Sequence, residues 1–86
     1  MSHIVIWSKP DCQYCSLAKM ELNNRNIPFE EKVLGRDFTK EILLEAYPTA
    51  KSFPVVVVDG FFIGGYSQLN QRLSEEYSNK SQLLNE

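Results

Sequence analysis

The stretch Ile4-Val5-Ile6-Trp7-Ser8-Lys9-Pro10-Asp11-Cys12-Gln13-Tyr14-Cys15 decides how the rest of the chain is read. Ile4 to Trp7 is an unbroken apolar run, mostly β-branched, the pattern of a strand buried on both faces. Lys9-Pro10-Asp11 breaks it. From Cys12 to about Arg25 the period becomes helical: Cys15, Ala18 and Leu22 recur at i, i+3 and i+7, while Ser16, Lys19 and Asn23 carry the polar side. Asp11 is the expected N-cap. A strand that feeds into a helix opening on Cys-x-x-Cys is a redox signal. Cys12 falls at the helix start, where unpaired N–H groups and the dipole stabilise a thiolate. Lys9 adds a positive charge, and Asp11 opposes it. Cys15 lies one turn later and faces the core side with Ala18 and Leu22, so it keeps its proton until needed. Cys12 is therefore the expected nucleophile toward a disulfide, and Cys15 the thiol that resolves the mixed disulfide.

Other uses of two cysteines fit less well. A structural disulfide here closes a very short loop, worth about 2 kcal/mol, and is disfavoured in a reducing cytosol. A zinc site needs four ligands, and only His3 adds an obvious candidate. Inert core thiols give no reason for a position at a helix start.

Outward from this stretch, 28–34 changes character. After Asn26-Ile27-Pro28, Phe29 to Leu34 reads as a more exposed strand. Gly35-Arg36-Asp37 leads into a second helix with Phe38, Ile42 and Ala46 on one face, closed by Pro48. Val55 to Val58 is a buried strand. Asp59-Gly60 supplies the positive φ of a two-residue hairpin, and Phe61-Phe62-Ile63 returns beside it. Gly64-Gly65 ends that strand, and Ser67 is the expected cap of a last helix carrying Leu69, Leu73 and Tyr77. The stretch 78–86 is polar and reads as a frayed tail anchored at most by Leu83-Leu84. The predicted order is β-α-β-α-β-β-α. Its first unit implies a right-handed parallel crossover and its hairpin an antiparallel pair, giving an α/β fold with a mixed four-stranded sheet flanked by helices. Both pure hydrophobic runs belong at the centre of the sheet.

The chain has 86 residues, which is one domain over 1–86, and 43% of them are hydrophobic, enough for a single core. Nine Lys and Arg against eleven Asp and Glu give a net charge of −2, with no basic run. That balance argues against nucleic acid or a membrane surface as partner. The apolar runs are far shorter than a bilayer span, and Met1-Ser2-His3-Ile4 carries no secretory pattern, so a cytoplasmic location is expected.

Three motifs in order resemble the glutaredoxin family of small thioredoxin-like proteins. Lys9 to Cys15 resembles its active-site stretch, commonly Cys-Pro-Tyr-Cys. Phe53-Pro54 resembles its Val-Pro, whose proline is cis and faces the active cysteine. Gly64-Gly65-Tyr66-Ser67-Gln68-Leu69 resembles its Gly-Gly-x-Ser/Thr-Asp-Leu segment. The resemblance covers His3 to about Tyr77. It implies a thioredoxin-like fold and a glutathione-dependent oxidoreductase acting in electron transport and cell redox homeostasis. The catalytic residues would be Cys12 and Cys15, with glutathione as co-substrate and no tightly bound cofactor or metal. Lys9 and Lys51 would meet the glycine carboxylate of glutathione, and Tyr14 would lie along the cleft. The backbone of Phe53, held by Pro54, would pair with the cysteinyl residue. Tyr66 and Ser67, after Gly65, would offer N–H groups to the γ-glutamyl carboxylate. Implied partners are glutathione and disulfide-containing proteins, ribonucleotide reductase among them, met by a monomer.

Two departures stand out. Gln13 replaces the common proline, as in members that hold an iron–sulfur cluster. Gln68 replaces an Asp that would pair with the γ-glutamyl amino group, which weakens the case for selective glutathione binding. The alternatives are a [2Fe–2S] carrier bridging two chains through Cys12 and glutathione, and a small redoxin reduced by thioredoxin reductase.

Overall fold

The computed structural model describes residues 3–85, with side chains through residue 75. Met1, Ser2 and Glu86, at the limits of the expected domain, lie outside the described residues, as does the side chain of Tyr77. The elements follow the predicted order: β1 (Ile4–Ser8), α1 (Gln13–Asn24), β2 (Glu30–Val33), α2 (Lys40–Ala46), β3 (Val55–Val58), β4 (Phe61–Gly64) and α3 (Tyr66–Asn85). The four strands form one sheet in the order β2-β1-β3-β4. β1 runs parallel to β2 and antiparallel to β3, and β4 returns antiparallel beside β3. The architecture is the expected mixed α/β sheet, with the strands that carry the two apolar runs in the middle.

Alternation along β1 and β3 divides the core into two layers. Ile4, Ile6, Val56 and Val58 pack with Ala18 and Leu22 of α1 and Leu69 and Leu73 of α3. Trp7, Val55 and Val57 face the other way, against Phe38 and Leu43. Helices α1 and α3 thus cover one face and α2 the other. Trp7 is a core residue, with its ring 4.7 Å from that of Phe38 in an edge-on contact. Asp59 and Gly60 both have positive φ, 53° and 84°, as a tight hairpin between right-twisted strands requires.

Three local expectations are corrected. Asp11 does not cap α1: it sits at φ 56° in the connecting turn, and Cys12 is the N-cap, its Sγ accepting from the Cys15 N–H at 3.2 Å. Helix α2 begins later than its apolar pattern suggests, because the Thr39 hydroxyl caps it by accepting from the Ile42 N–H. Phe38 therefore reaches the core from before the helix, Leu43 is the buried helical residue, and Ile42 and Ala46 point outward. Ser67 does not cap α3. The helix starts at Tyr66, Gly65 accepts from the Leu69 N–H, and the Gln68 side chain reaches back to accept from the Gly65 N–H at 2.9 Å. This is the return half of a capping box, with glycine at the cap. From residue 78 α3 continues to Asn85, through residues that include no helix-breaking Gly or Pro, and the side chains of Leu83 and Leu84 lie outside the described residues.

Candidate active site

The site is assembled where three chain segments meet at one end of the sheet. Cys12 ends the β1–α1 turn, and its carbonyl accepts the Ser16 N–H, so its position is fixed by the first turn of α1. Cys12 and Cys15 are joined as a disulfide with Cα atoms 5.2 Å apart. Cys15 is 2% exposed whereas Cys12 is half-buried, so an incoming group meets Cys12 first.

The second segment is the connection before β3. The Phe53–Pro54 bond is cis, as expected, and Pro54 is buried. The third is the start of α3, which approaches this connection so closely that a Cβ on Gly65 would lie 3.3 Å from the Pro54 carbonyl oxygen. Gly64, at φ 128°, faces the folded-back Gln68: a Cβ there would fall 2.6 Å from Gln68 Cγ. Glycine at both positions lets the strand turn into the helix against the proline.

Two adjoining clefts open from this junction. One, of about 450 Å³, is lined by Cys12 together with Lys9, Tyr14, Lys40, Lys51 and Phe53. The other, of about 210 Å³, is bordered by Tyr14, Phe53, Pro54, Gly65, Tyr66 and Ser67. Tyr14 and Phe53 belong to both. The Tyr14 and Tyr66 rings stand 5.8 Å apart, and Lys9 Nζ lies 5.8 Å from the Phe53 ring centroid. The candidate site residues other than Cys15 thus border these two clefts.

The motifs missed Lys40, Ser52 and the role of Gln68. Lys40 is the first residue of α2 and adds a third ammonium to the Cys12 cleft beside Lys9 and Lys51, against the single carboxylate of Asp11. Its signal was the Thr39 cap, which fixes where α2 begins. Ser52 borders both clefts and precedes the cis bond. Gln68 carries no charge into the second cleft, and its carbonyl oxygen is spent on the Gly65 N–H.

A further cleft, of about 670 Å³, shares Cys12 with the first and also reaches Cys15. Its wall includes an ion pair of Lys19 with Glu31 at 2.7 Å, and the buried Ser8 hydroxyl donates to the same Glu31 oxygen at 2.8 Å. The Lys19 hydrogen bond above all, with the Ser8 hydroxyl adding to it, outweighs partial burial and holds the Glu31 carboxyl below the usual glutamate range.

Comparison with known proteins agrees with this geometry. The chain is 35% identical over 68 residues to the hybrid peroxiredoxin hyPrx5 of Haemophilus influenzae, which covers 79% of the chain but only 28% of that longer protein. The thioredoxin-like protein BC3987 is 30% identical, with a TM-score of 0.65 over 79% of this chain and 96% of that one. The buckwheat glutaredoxin solved with glutathione superposes with a TM-score of 0.73 at 22% identity, over 87% of this chain and 71% of that one. The Glutaredoxin family model matches residues 4–63, from β1 through the cysteine pair and the cis proline into β4. By that match, the chain belongs to the glutaredoxin family.

Proposed function

We propose that the protein is a glutathione-dependent thiol–disulfide oxidoreductase that reduces protein disulfides and glutathione mixed disulfides in the cytoplasm. The observation that carries this is the position of Cys12: a helix N-cap, half-exposed, bound to a buried Cys15 and opening onto a lysine-rich cleft. In the reduced protein the Cys12 thiolate attacks a substrate disulfide and expels one substrate sulfur as a thiolate. Cys15 then attacks Cys12 Sγ, releases the second substrate sulfur and closes the disulfide. Two glutathione molecules return the electrons: the first opens the disulfide at Cys12, the second displaces it and leaves as oxidised glutathione.

The clefts suit a ligand with a carboxylate at each end. Lys9, Lys51 and Lys40 supply positive charge at one end. The N–H groups of Tyr66 and Ser67, at the start of α3, suit the γ-glutamyl carboxylate at the other. The Phe53 backbone, in a residue that borders both clefts, would pair in strand fashion with the cysteinyl residue. Glutathione bound to the buckwheat glutaredoxin supports this assignment. Family disulfide substrates such as ribonucleotide reductase are candidates.

The orientation of Gln68 favours a second reading, a redoxin reduced by thioredoxin reductase, because no side-chain carboxylate stands at that position to pair with a γ-glutamyl amino group. A coupled assay separates the two. Turnover with glutathione, glutathione reductase and NADPH supports the first reading. Turnover only with thioredoxin reductase and NADPH replaces it with the second.

A further inference from the structure

The mechanism leaves one proton unaccounted for. Cys15 must lose its thiol proton before it attacks Cys12, yet it is 2% exposed, so bulk water does not reach it freely. The cleft it shares with Ser8, Lys19 and Glu31 gives a route. Ser8 continues the two-residue period of Ile4 and Ile6, on the sheet face that α1 covers. Glu31 is paired with Ile6 across the parallel ladder and so projects on the same face. Lys19 follows Cys15 by one helical turn. The fold thus collects a hydroxyl, a carboxylate and an ammonium in the wall of the cleft that Cys15 also lines.

Their hydrogen bonds run in one direction. The Ser8 hydroxyl, itself 2% exposed, donates to Glu31 at 2.8 Å, with the Lys32 carbonyl oxygen a longer second acceptor at 3.4 Å, and leaves its own oxygen lone pairs as acceptors. The Glu31 side chain is 28% exposed, so it can hand a proton to solvent. The other titratable groups bordering the cleft are Lys9, Asp11, Arg36 and Cys12. Of the carboxylates, Glu31 is the one joined to the buried hydroxyl.

We propose that Glu31, acting through Ser8, accepts the Cys15 proton during resolution and returns one to Cys15 when the disulfide is reopened. In the forward step the Cys15 S–H bond breaks and the Cys15–Cys12 S–S bond forms. The Cys12–substrate S–S bond breaks, and the substrate leaves as a thiolate that takes a proton from solvent. Glu31 passes the proton it received to water. The substrate disulfide is the oxidant and no further redox partner is needed. Glu31 acts through Ser8 and is a positioning residue for the proton.

This inference rests on the dithiol reading above, and a two-step measurement separates the failure of one from the failure of the other. Reduced full-length protein is mixed with a glutathionylated peptide and quenched at intervals across the acid-to-neutral range. Mixed-disulfide formation at Cys12 and its resolution by Cys15 are then read separately. In Glu31→Gln the first step reports an intact nucleophile, while resolution slows by about tenfold, at or below the low end for a general base because Glu31 is a weak one. The acid limb of the resolution profile also disappears. A purely electrostatic role predicts the opposite sign: Lys19, left unpaired beside Cys15, favours the thiolate, and resolution keeps pace or quickens. That result overturns the proposal. Ser8→Ala keeps the Lys19–Glu31 pair and must slow resolution as well; a wild-type rate in it likewise refutes the route. If the unmodified protein forms no mixed disulfide at Cys12, the dithiol reading falls and takes this one with it.

Discussion

Gln68 is where this chain departs most consequentially from the glutaredoxin pattern, and Gln68→Asp tests what the departure does. In the present structure Gln68 Oε1 accepts from the Gly65 N–H at 2.9 Å, on an exposed side chain. Losing that bond costs about 0.5–1.5 kcal/mol. A carboxylate in the first turn of α3 returns about 0.3–1 kcal/mol through the helix dipole. The two nearly cancel, so the midpoint of thermal unfolding should move by no more than a few degrees, at about 4–8 °C per kcal/mol for a domain of this size. Ligand binding is not balanced in the same way. An aspartate beside the Tyr66 and Ser67 N–H groups can accept from a γ-glutamyl ammonium, a charge-assisted bond worth about 1.5–3 kcal/mol when shielded. Discounted by about half for exposure, this is roughly a three- to tenfold gain. Steady-state turnover against glutathione concentration reads it directly: KM for glutathione should fall by that factor with kcat little changed. An unchanged or higher KM in a variant of normal stability would refute both the placement of the γ-glutamyl end at α3 and the idea that Gln68 weakens it.

Four further substitutions probe the rest of the site. Cys12→Ser should abolish all thiol–disulfide activity, whereas Cys15→Ser should keep removal of glutathione from proteins and lose reduction of protein disulfides; the reverse pattern would exchange their roles. Gly65→Ala places a methyl group 3.3 Å from the Pro54 carbonyl oxygen, a backbone atom with little room to retreat, and should destabilise the protein by about 1–3 kcal/mol, read as a lower unfolding midpoint. Because the folded-state pKa of Glu31 lies below its ordinary value of 4.5, the stability it contributes is present above that pH and is lost as pH falls through the depressed value. Glu31→Gln should therefore flatten the acid limb of thermal stability, but only in part, since Asp37 beside Arg36 is lowered in the same direction.

What could be read from the sequence was whatever local physics decides alone. The β1 and β3 runs announce central strands because only a strand covered on both faces wants apolar residues at consecutive positions. Asp59-Gly60 fixes its turn because both residues tolerate positive φ. The second helix was misread because Phe38, Ile42 and Ala46 do fall on one helical stripe, and periodicity carries no information about where a helix starts. The Thr39 cap moves that start past Phe38, and burial then falls to Leu43. The extent of α3 is open in the sequence for the converse reason, since a polar stretch without breakers is compatible with either helix or coil.

The site divides along the same line. The placement of Cys12 and Cys15 was legible because it comes from one turn of one helix: one thiol stands at the N-terminus, and spacing sets which thiol is buried. Lys9, Lys51, Phe53, Tyr66 and Ser67 were placed only through family resemblance, since nothing local brings residues 9, 53 and 66 together. The sheet order does so, by laying β3 beside β1 and turning the chain from β4 into α3 against Pro54. Glu31 lay beyond either method. It reads locally as one of two acidic residues on an exposed edge strand. Its meaning appears only once the parallel β1–β2 register sets it opposite Ile6, on the face of Ser8, under the α1 turn that carries Cys15 and Lys19. A residue whose function depends on a strand register and a helix phase at once leaves no signature in either segment alone.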